Sequence, residues 1–260
     1  MRKLKSDKGS TERFGYQWKI YNKIIPEYEE QFLKWVYPLK KADFIGKRVL
    51  DAGCGVGRNS FWPAKYGAKE VFAFDYDSRI VDVAKKNLLR FKNCNVTYDS
   101  IYSIPYQNYF DISLSIGVIH HLNKPREAIK NLVKATRKKG KVLIWIYGYK
   151  GNEWIVRYIN PIRTITSRIP SLLTRLVAYG FSLPLFAYLK LFRQKRPYLQ
   201  QISKFRFWHV HCIVLDQLIP KIANYWTEKE ARRLFENQGL EDVKVFPVNG
   251  MSWTVIGKKK

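Results

Sequence analysis

VLDAGCGVGRN, Val49 to Asn59, places three glycines in five positions directly after an apolar run that ends in an aspartate. The text before it, KRVLDAG, reads as a short buried strand, and SFWPAKYGA after it has helical spacing. Gly53, Gly55 and Gly57 therefore belong to a strand-to-helix turn. Glycine allows positive φ there and lets the backbone come close to a ligand. The N–H groups of the following helix end suit an anionic or strongly polar partner.

A dinucleotide fingerprint is G-x-G-x-x-G with an acid about 20 residues on. Here the third glycine comes one position early and Asp51 precedes the loop, so the spacing does not suit a pyrophosphate. No Gly-Lys-Ser/Thr follows, which excludes a P-loop. The bland alternative is a glycine turn that binds nothing. The order of apolar strand, acid and G-x-G-x-G resembles the first motif of the class I S-adenosylmethionine-dependent methyltransferases. The resemblance continues in VFAFDYD and FDISLSIGVIHHL, covers residues 47–148 and resumes at 226–257. It implies a Rossmann-like, doubly wound, seven-stranded and mostly parallel α/β sheet, with S-adenosylmethionine as cofactor.

Alternating strands (RVLDAG, EVFAFDYD, NVTYDSI, YFDISLSIG, GKVLIWIYG) and amphipathic helices (SRIVDVAKKNLLRF, PREAIKNLVKATRKKG) independently predict a parallel sheet with helices on both faces. Ligands of such sheets bind beyond the carboxyl ends of the strands, where these motifs fall. We divide the chain into a basic tail and helical lid (1–46), the cofactor-binding core (47–148), an insertion (149–225) and a closing helix and hairpin (226–260). The lid reading rests on aromatic residues at helical steps, Tyr28, Phe32 and Trp35, after Pro26 in the first turn. The closing unit opens on a capping box, Thr227 with Glu230, and carries a hairpin signal at Asn249-Gly250. Pro247 suits an edge strand, and in the resembling family the sixth strand is outermost.

The 260 residues can bury one sizeable core. Against 21 Asp and Glu stand 47 Lys and Arg, a net charge of +26. Such an excess points to a polyanionic neighbour, either nucleic acid or an anionic membrane surface, unless it is merely a soluble basic surface. The insertion carries twelve of these cations against only Glu153 and Asp216, interleaved with large apolar residues. Its uncharged run, 176–189, is too short to span a bilayer and is interrupted by Pro184. Its apolar component around 172–192, with Leu185 and Phe186, suits an interfacial helix. Three cysteines without a CxxC pair, and an N-terminus without an apolar stretch, suggest a reduced cytoplasmic protein, peripheral on the inner membrane face.

The resemblance makes Asp51, Gly53, Gly55, Gly57, Asp75, Tyr76, Ser100, Ile101 and Ile116 the cofactor-binding residues. Asp75, 18 residues beyond Gly57, ends the second strand and is expected to accept both ribose hydroxyls. Tyr76 is expected against the adenine. In YDSIYSIPY the acid, Asp99, comes one place early and Ser100 takes the matching position, which leaves open which side chain reads the adenine, with backbone groups at Ser100 and Ile101 as candidates. SIGVIHHL has no proline or aromatic where amino-methyltransferases of nucleic-acid bases hold a planar amine, and no cysteine where cytosine carbon-5 chemistry needs one. Both absences count against base methylation, and no DNA partner is expected.

His121, with His120 beside it, is the candidate catalytic residue: a near-neutral imidazole suits deprotonation of an acceptor hydroxyl or amine. The alternative is a histidine that only caps the next helix. Tyr16, Trp18 and Tyr21 are candidate substrate contacts from the lid. His209 and His211 in FWHVHC read as one strand face beside Cys212, but no third ligand is apparent, so no metal is expected. The expected reaction is methyl transfer from S-adenosylmethionine to O or N of a small or amphipathic, lipid-linked acceptor. RNA methylation and a non-catalytic cofactor-binding protein are the alternatives.

Overall fold

The computed structural model describes Phe14 and residues 22–260. Tyr16, Trp18 and Tyr21 lie outside the described residues. Seven strands form one sheet: β1 (Arg48–Ala52), β2 (Glu70–Asp75), β3 (Cys94–Tyr98), β4 (Phe110–Ile116), β5 (Thr136–Tyr147), β6 (Leu240–Val248) and β7 (Ser252–Lys259). Their order is β3-β2-β1-β4-β5-β7-β6, parallel from β3 through β5, with β7 antiparallel to β5 and β6. The order reverses between β1 and β4, which pair directly. A cleft opens beyond the strand ends at such a switch point. The glycine loop leaves β1 and the His120-His121 turn leaves β4, so both motifs meet there.

Both faces of the sheet are covered, and the central strands bury apolar side chains on each of them. Val49, Leu50, Leu114, Leu143 and Ile144 have no exposed surface. The flanking helices are α1 (Glu27–Trp35), α2 (Arg58–Lys65), α3 (Ser78–Leu88) and α4 (Pro125–Ala135). Pro26 is the N-cap of α1 rather than part of its first turn, and Tyr28 and Phe32 are the residues α1 buries. Thr136 to Gly140, read as the end of a helix, instead belongs to a strand. Thr136 is extended, with its hydroxyl donating to the Leu132 carbonyl, and begins β5.

The insertion is helical: a π-helical turn (Ile155–Ile159), then α5 (Asn160–Thr166), α6 (Ser171–Leu191), α7 (Pro197–Ser203) and α8 (Phe207–Leu218). Pro184 does not interrupt α6, which runs unbroken through it. Proline removes one backbone hydrogen bond, and packing of the helix against its neighbours outweighs that loss. FWHVHC is the start of α8, not a strand, so His209 and His211 do not share a face. The two ends of the insertion are pinned together. Trp226 donates to the Tyr147 carbonyl, and Tyr149 donates to that of Trp226.

The chain closes with α9 (Glu228–Arg233), opened by the expected reciprocal Thr227–Glu230 capping box. Regular helix ends at Arg233, and the chain turns through Asn237 and Gly239, both at positive φ, into β6. Asn249 and Gly250, also at positive φ, make the hairpin turn to β7. β6 is the outer strand, and Pro247 sits on it without breaking the ladder.

Candidate functional site

One cavity of about 1870 Å³ lies over the carboxyl ends of β1, β2, β4 and β5. The glycine loop supplies Gly53, Cys54, Gly55 and Val56 to its wall. All three glycines have positive φ, but for different uses. A Cβ on Gly53 would stand 2.5 Å from Val118 Cγ2, and one on Gly57 would stand 2.9 Å from Leu88 Cδ1. At Gly55 an added Cβ would meet nothing within 4 Å. Gly53 and Gly57 therefore serve packing, whereas the space over Gly55 is a cradle that any side chain would fill.

Asp75 reaches the cavity from the end of β2. Its Oδ2 accepts the Gly55 N–H at 2.9 Å and its Oδ1 accepts the Asp77 N–H at 3.0 Å. Each carboxylate oxygen has a second lone pair for a ligand hydroxyl. Burial raises the Asp75 pKa, and the backbone donors act against that rise. Tyr76 lines the cavity and stacks on Tyr98 with ring centres 5.5 Å apart. Ser100, Ile101 and Ile116 also line it. The Ser100 N–H donates to Asp99 Oδ1, so that backbone donor is already engaged. Asp99 itself stands in the wall, one place before the expected position.

Asp51 and Gly57 are corrections, since neither lines the cavity. Gly57 is the N-cap of α2. Asp51 is buried beneath the loop, where its Oδ2 accepts the Ser60 hydroxyl at 2.6 Å and its Oδ1 lacks a hydrogen-bond partner among the described residues. Burial pushes its carboxyl up to about 7. Through Ser60 at the start of α2, Asp51 braces the loop from below.

The two histidines separate. His120 is wholly buried and its ring stacks on Tyr147 at 3.7 Å. Burial holds it neutral, well below the usual imidazole range. It stands behind the cavity wall and cannot reach a ligand, which corrects its placement as a catalytic candidate. His121 lines the cavity. Its Nδ1 is 2.8 Å from the Ile222 carbonyl. A carbonyl only accepts, so Nδ1 carries the proton and Nε2 keeps its lone pair. Burial lowers the pKa to about 4, against the opposing effect of the Ile222 bond, and the Arg163 charge lowers it further.

Several wall residues were missed by sequence reading. Trp145 and Tyr147 alternate along the end of β5 and both face the cavity. Their position at a strand's carboxyl end was the available signal. Tyr198, Phe205 and Tyr225 come from the insertion and carry no such signal, while His209, singled out in the sequence with packing or substrate contact as its leading readings, stands in the wall beside them. Behind them Arg163 is buried with neutral partners, donating to Asn160, Gln217 and the Tyr225 hydroxyl. Among the described residues no group of three His, Cys, Asp or Glu side chains could hold a metal ion.

Residues 50–144 match a family model described as a methyltransferase domain. The fold is the one that solved S-adenosylmethionine-dependent methyltransferases share. Among solved structures, a SAM-dependent methyltransferase from Aquifex aeolicus is similar over 95% of this chain and 98% of its own, with TM-score 0.55 and 17% identity. Magnesium protoporphyrin IX methyltransferase from Synechocystis, with bound SAH, is similar over 100% and 90%, with TM-score 0.53 and 14% identity. At these identities the likeness concerns the fold. Among curated relatives, phosphoethanolamine N-methyltransferase 2 of Caenorhabditis elegans is 30% identical over 51% of this chain and 31% of its own length. A tRNA U34 carboxymethyltransferase of Campylobacter hominis is 28% identical over 48% and 45%. The chain thus spans less than half of either relative, and their acceptors differ in kind.

Proposed function

We propose that this chain transfers a methyl group from S-adenosylmethionine to an oxygen or nitrogen of a small or amphipathic acceptor, with His121 taking the proton. The observation that carries the reading is that a glycine-loop half and an aromatic half share one cavity and are joined at His121. Its volume is well above the roughly 300–1,000 Å³ of a site for one drug-sized ligand, leaving room for cofactor and acceptor together.

The open cradle over Gly55 and the spare lone pairs of Asp75 fit an adenosyl group with its ribose diol. Gly53 to Val56 and Asp75 would hold it, with Tyr76, Asp99 and Ile101 around the base. Bound there, the cofactor supplies an activated methyl group on a sulfonium. The chain's own work is to position the acceptor, exclude water and remove a proton. Trp145, Tyr147, Tyr198 and Phe205 form a wall that suits a flat or apolar acceptor body. Nε2 of His121 is the proton acceptor, because Nδ1 is committed to Ile222. Holding both reactants in one enclosure supplies most of the acceleration for an already activated donor.

The test is incubation of the protein with methyl-labelled S-adenosylmethionine and, separately, lipid extract, small-metabolite extract and total RNA. Label in a lipid or small molecule supports the reading. Label confined to RNA replaces it with RNA methylation, and label in none leaves a cofactor-binding protein. In parallel, Asp75→Ala should weaken cofactor binding in calorimetric titration at least tenfold, since charge-assisted hydrogen bonds contribute about 1.5–3 kcal/mol each. Unchanged affinity in a folded variant would remove Asp75 from the site.

A further inference from the structure

We infer that the outward face of α6 is a docking surface for an anionic lipid bilayer, on which the protein lies without spanning it. This goes beyond the methyl-transfer reading and does not rest on it. The helix turns large apolar side chains outward along its length, unlike an ordinary surface helix, and its buried stripe mixes polar and apolar side chains. Its buried stripe is Thr174, Ala178, Ser182 and Leu189. Thr174 donates to the Thr166 carbonyl, and Ser182 Oγ is 2.8 Å from His211 Nδ1. Its exposed stripe is Leu172 (57% exposed), Leu176 (57%), Leu183 (55%) and Leu191 (77%), extended by Phe192. Scattered exposed leucines need no explanation, but a continuous stripe along one helix does.

Charge selects the partner. Arg168 stands exposed just before the helix, and Lys190, Arg193, Lys195 and Arg196 stand exposed at its end. The insertion as a whole offers only Glu153 and Asp216 in opposition. Apolar side chains flanked by cations fit acyl chains beneath anionic headgroups. RNA offers the cations a partner but gives the leucines nothing to bury in.

By length and composition α6 could also cross a bilayer. Its packing argues for the flat placement. Crossing would take Thr174, Arg175 and Ser182 into hydrocarbon, where unsatisfied polar groups are costly. It would also strip Leu185, Phe186 and Leu189 from the main core, which they join. Leu185 and Phe186 thus face inward, correcting their placement on the interfacial side. Leu185 also lines the cavity, so the helix that meets the bilayer forms part of the cavity wall.

The experiment is cosedimentation of the full chain with vesicles of phosphatidylcholine alone or with a quarter of phosphatidylglycerol. The parent should pellet with the anionic vesicles. The triple variant Leu172→Ser, Leu176→Ser, Leu183→Ser keeps every charge and alters only exposed positions, and its bound fraction at limiting lipid should fall about tenfold or more. The variant Leu191→Ser, Phe192→Ser, at the C-terminal end of the helix, should show a smaller loss and covers the case in which the triple variant misfolds by circular dichroism. A parent that ignores anionic vesicles overturns the proposal, as does full binding by both folded variants. A parent dimer in light scattering that ignores vesicles and becomes monomeric in either variant would assign the face to a second copy instead. Methylation activity is not read here, so failure of one reading does not disturb the other.

Discussion

Burial and one hydrogen bond decide what His121 can do. The Ile222 carbonyl holds the proton on Nδ1, and the pKa near 4 keeps Nε2 unprotonated across the physiological range. The same low basicity reduces the driving force for proton removal, so the contribution of the ring should sit near the lower end of general-base effects. His121→Asn, whose amide can still donate to Ile222, is expected to lower kcat by about 10²-fold with cofactor affinity unchanged. The acid limb of the parent's kcat profile should lie near pH 4 to 5, not 6.5. A loss below threefold would leave the ring a structural role only. Asp51 makes the second residue-scale prediction. Its pKa rises from the ordinary carboxylate value to about 7 on folding, so the folded state holds a proton that the unfolded chain releases. That contribution is complete below pH 4 and is lost as pH rises toward 7, by up to about 4 kcal/mol. Denaturant titrations of Asp51→Asn, which cannot ionise, should show a flatter pH dependence over this window. An identical slope in both proteins would show that Asp51 does not titrate there.

Among the elements, the strand-to-helix turn is where sterics and φ can be separated. Gly53→Ala forces a Cβ onto Val118 at a φ of 81°. The left-handed backbone alone costs about 1–3 kcal/mol. Thermal unfolding of the double variant Gly53→Ala, Val118→Ala should regain the steric part of the loss and not the backbone part. Complete recovery would mean that φ is no constraint at Gly53. The capping box of α9 is a smaller lever: Thr227→Ala should cost about 1 kcal/mol, read from the shift in denaturant midpoint. Both elements were legible in the sequence because each is decided by neighbours within four residues. The β5 start and α8 were misread for the opposite reason. At Thr136 a helical pattern yields to pairing with β4, and at Phe207 an apolar alternation is overridden by packing against α6.

At the scale of the whole molecule the insertion is part of the core. Leu189, Ile202, Phe205 and Val210 belong to one buried cluster with Tyr28, Phe32 and Val49. Calorimetry should therefore give a single unfolding transition, and two resolved transitions would show that the insertion folds apart from the sheet.

The sequence by itself determined the class of sheet, the glycine loop, Asp75 and the His120-His121 turn. These follow from local rules: strand alternation, the φ that only glycine adopts readily, and an acid at a strand end. Only the tertiary structure decided which members of those motifs meet the cavity. It placed Asp51 and His120 behind the wall and His121 in it, because one residue's difference in position on a strand or turn reverses which side it faces. The aromatic half of the cavity and the outward apolar stripe of α6 were likewise settled by packing. No spacing rule says which face of a helix rich in leucine is turned inward when the small and polar side chains on the other face find hydrogen-bond partners in the body of the protein.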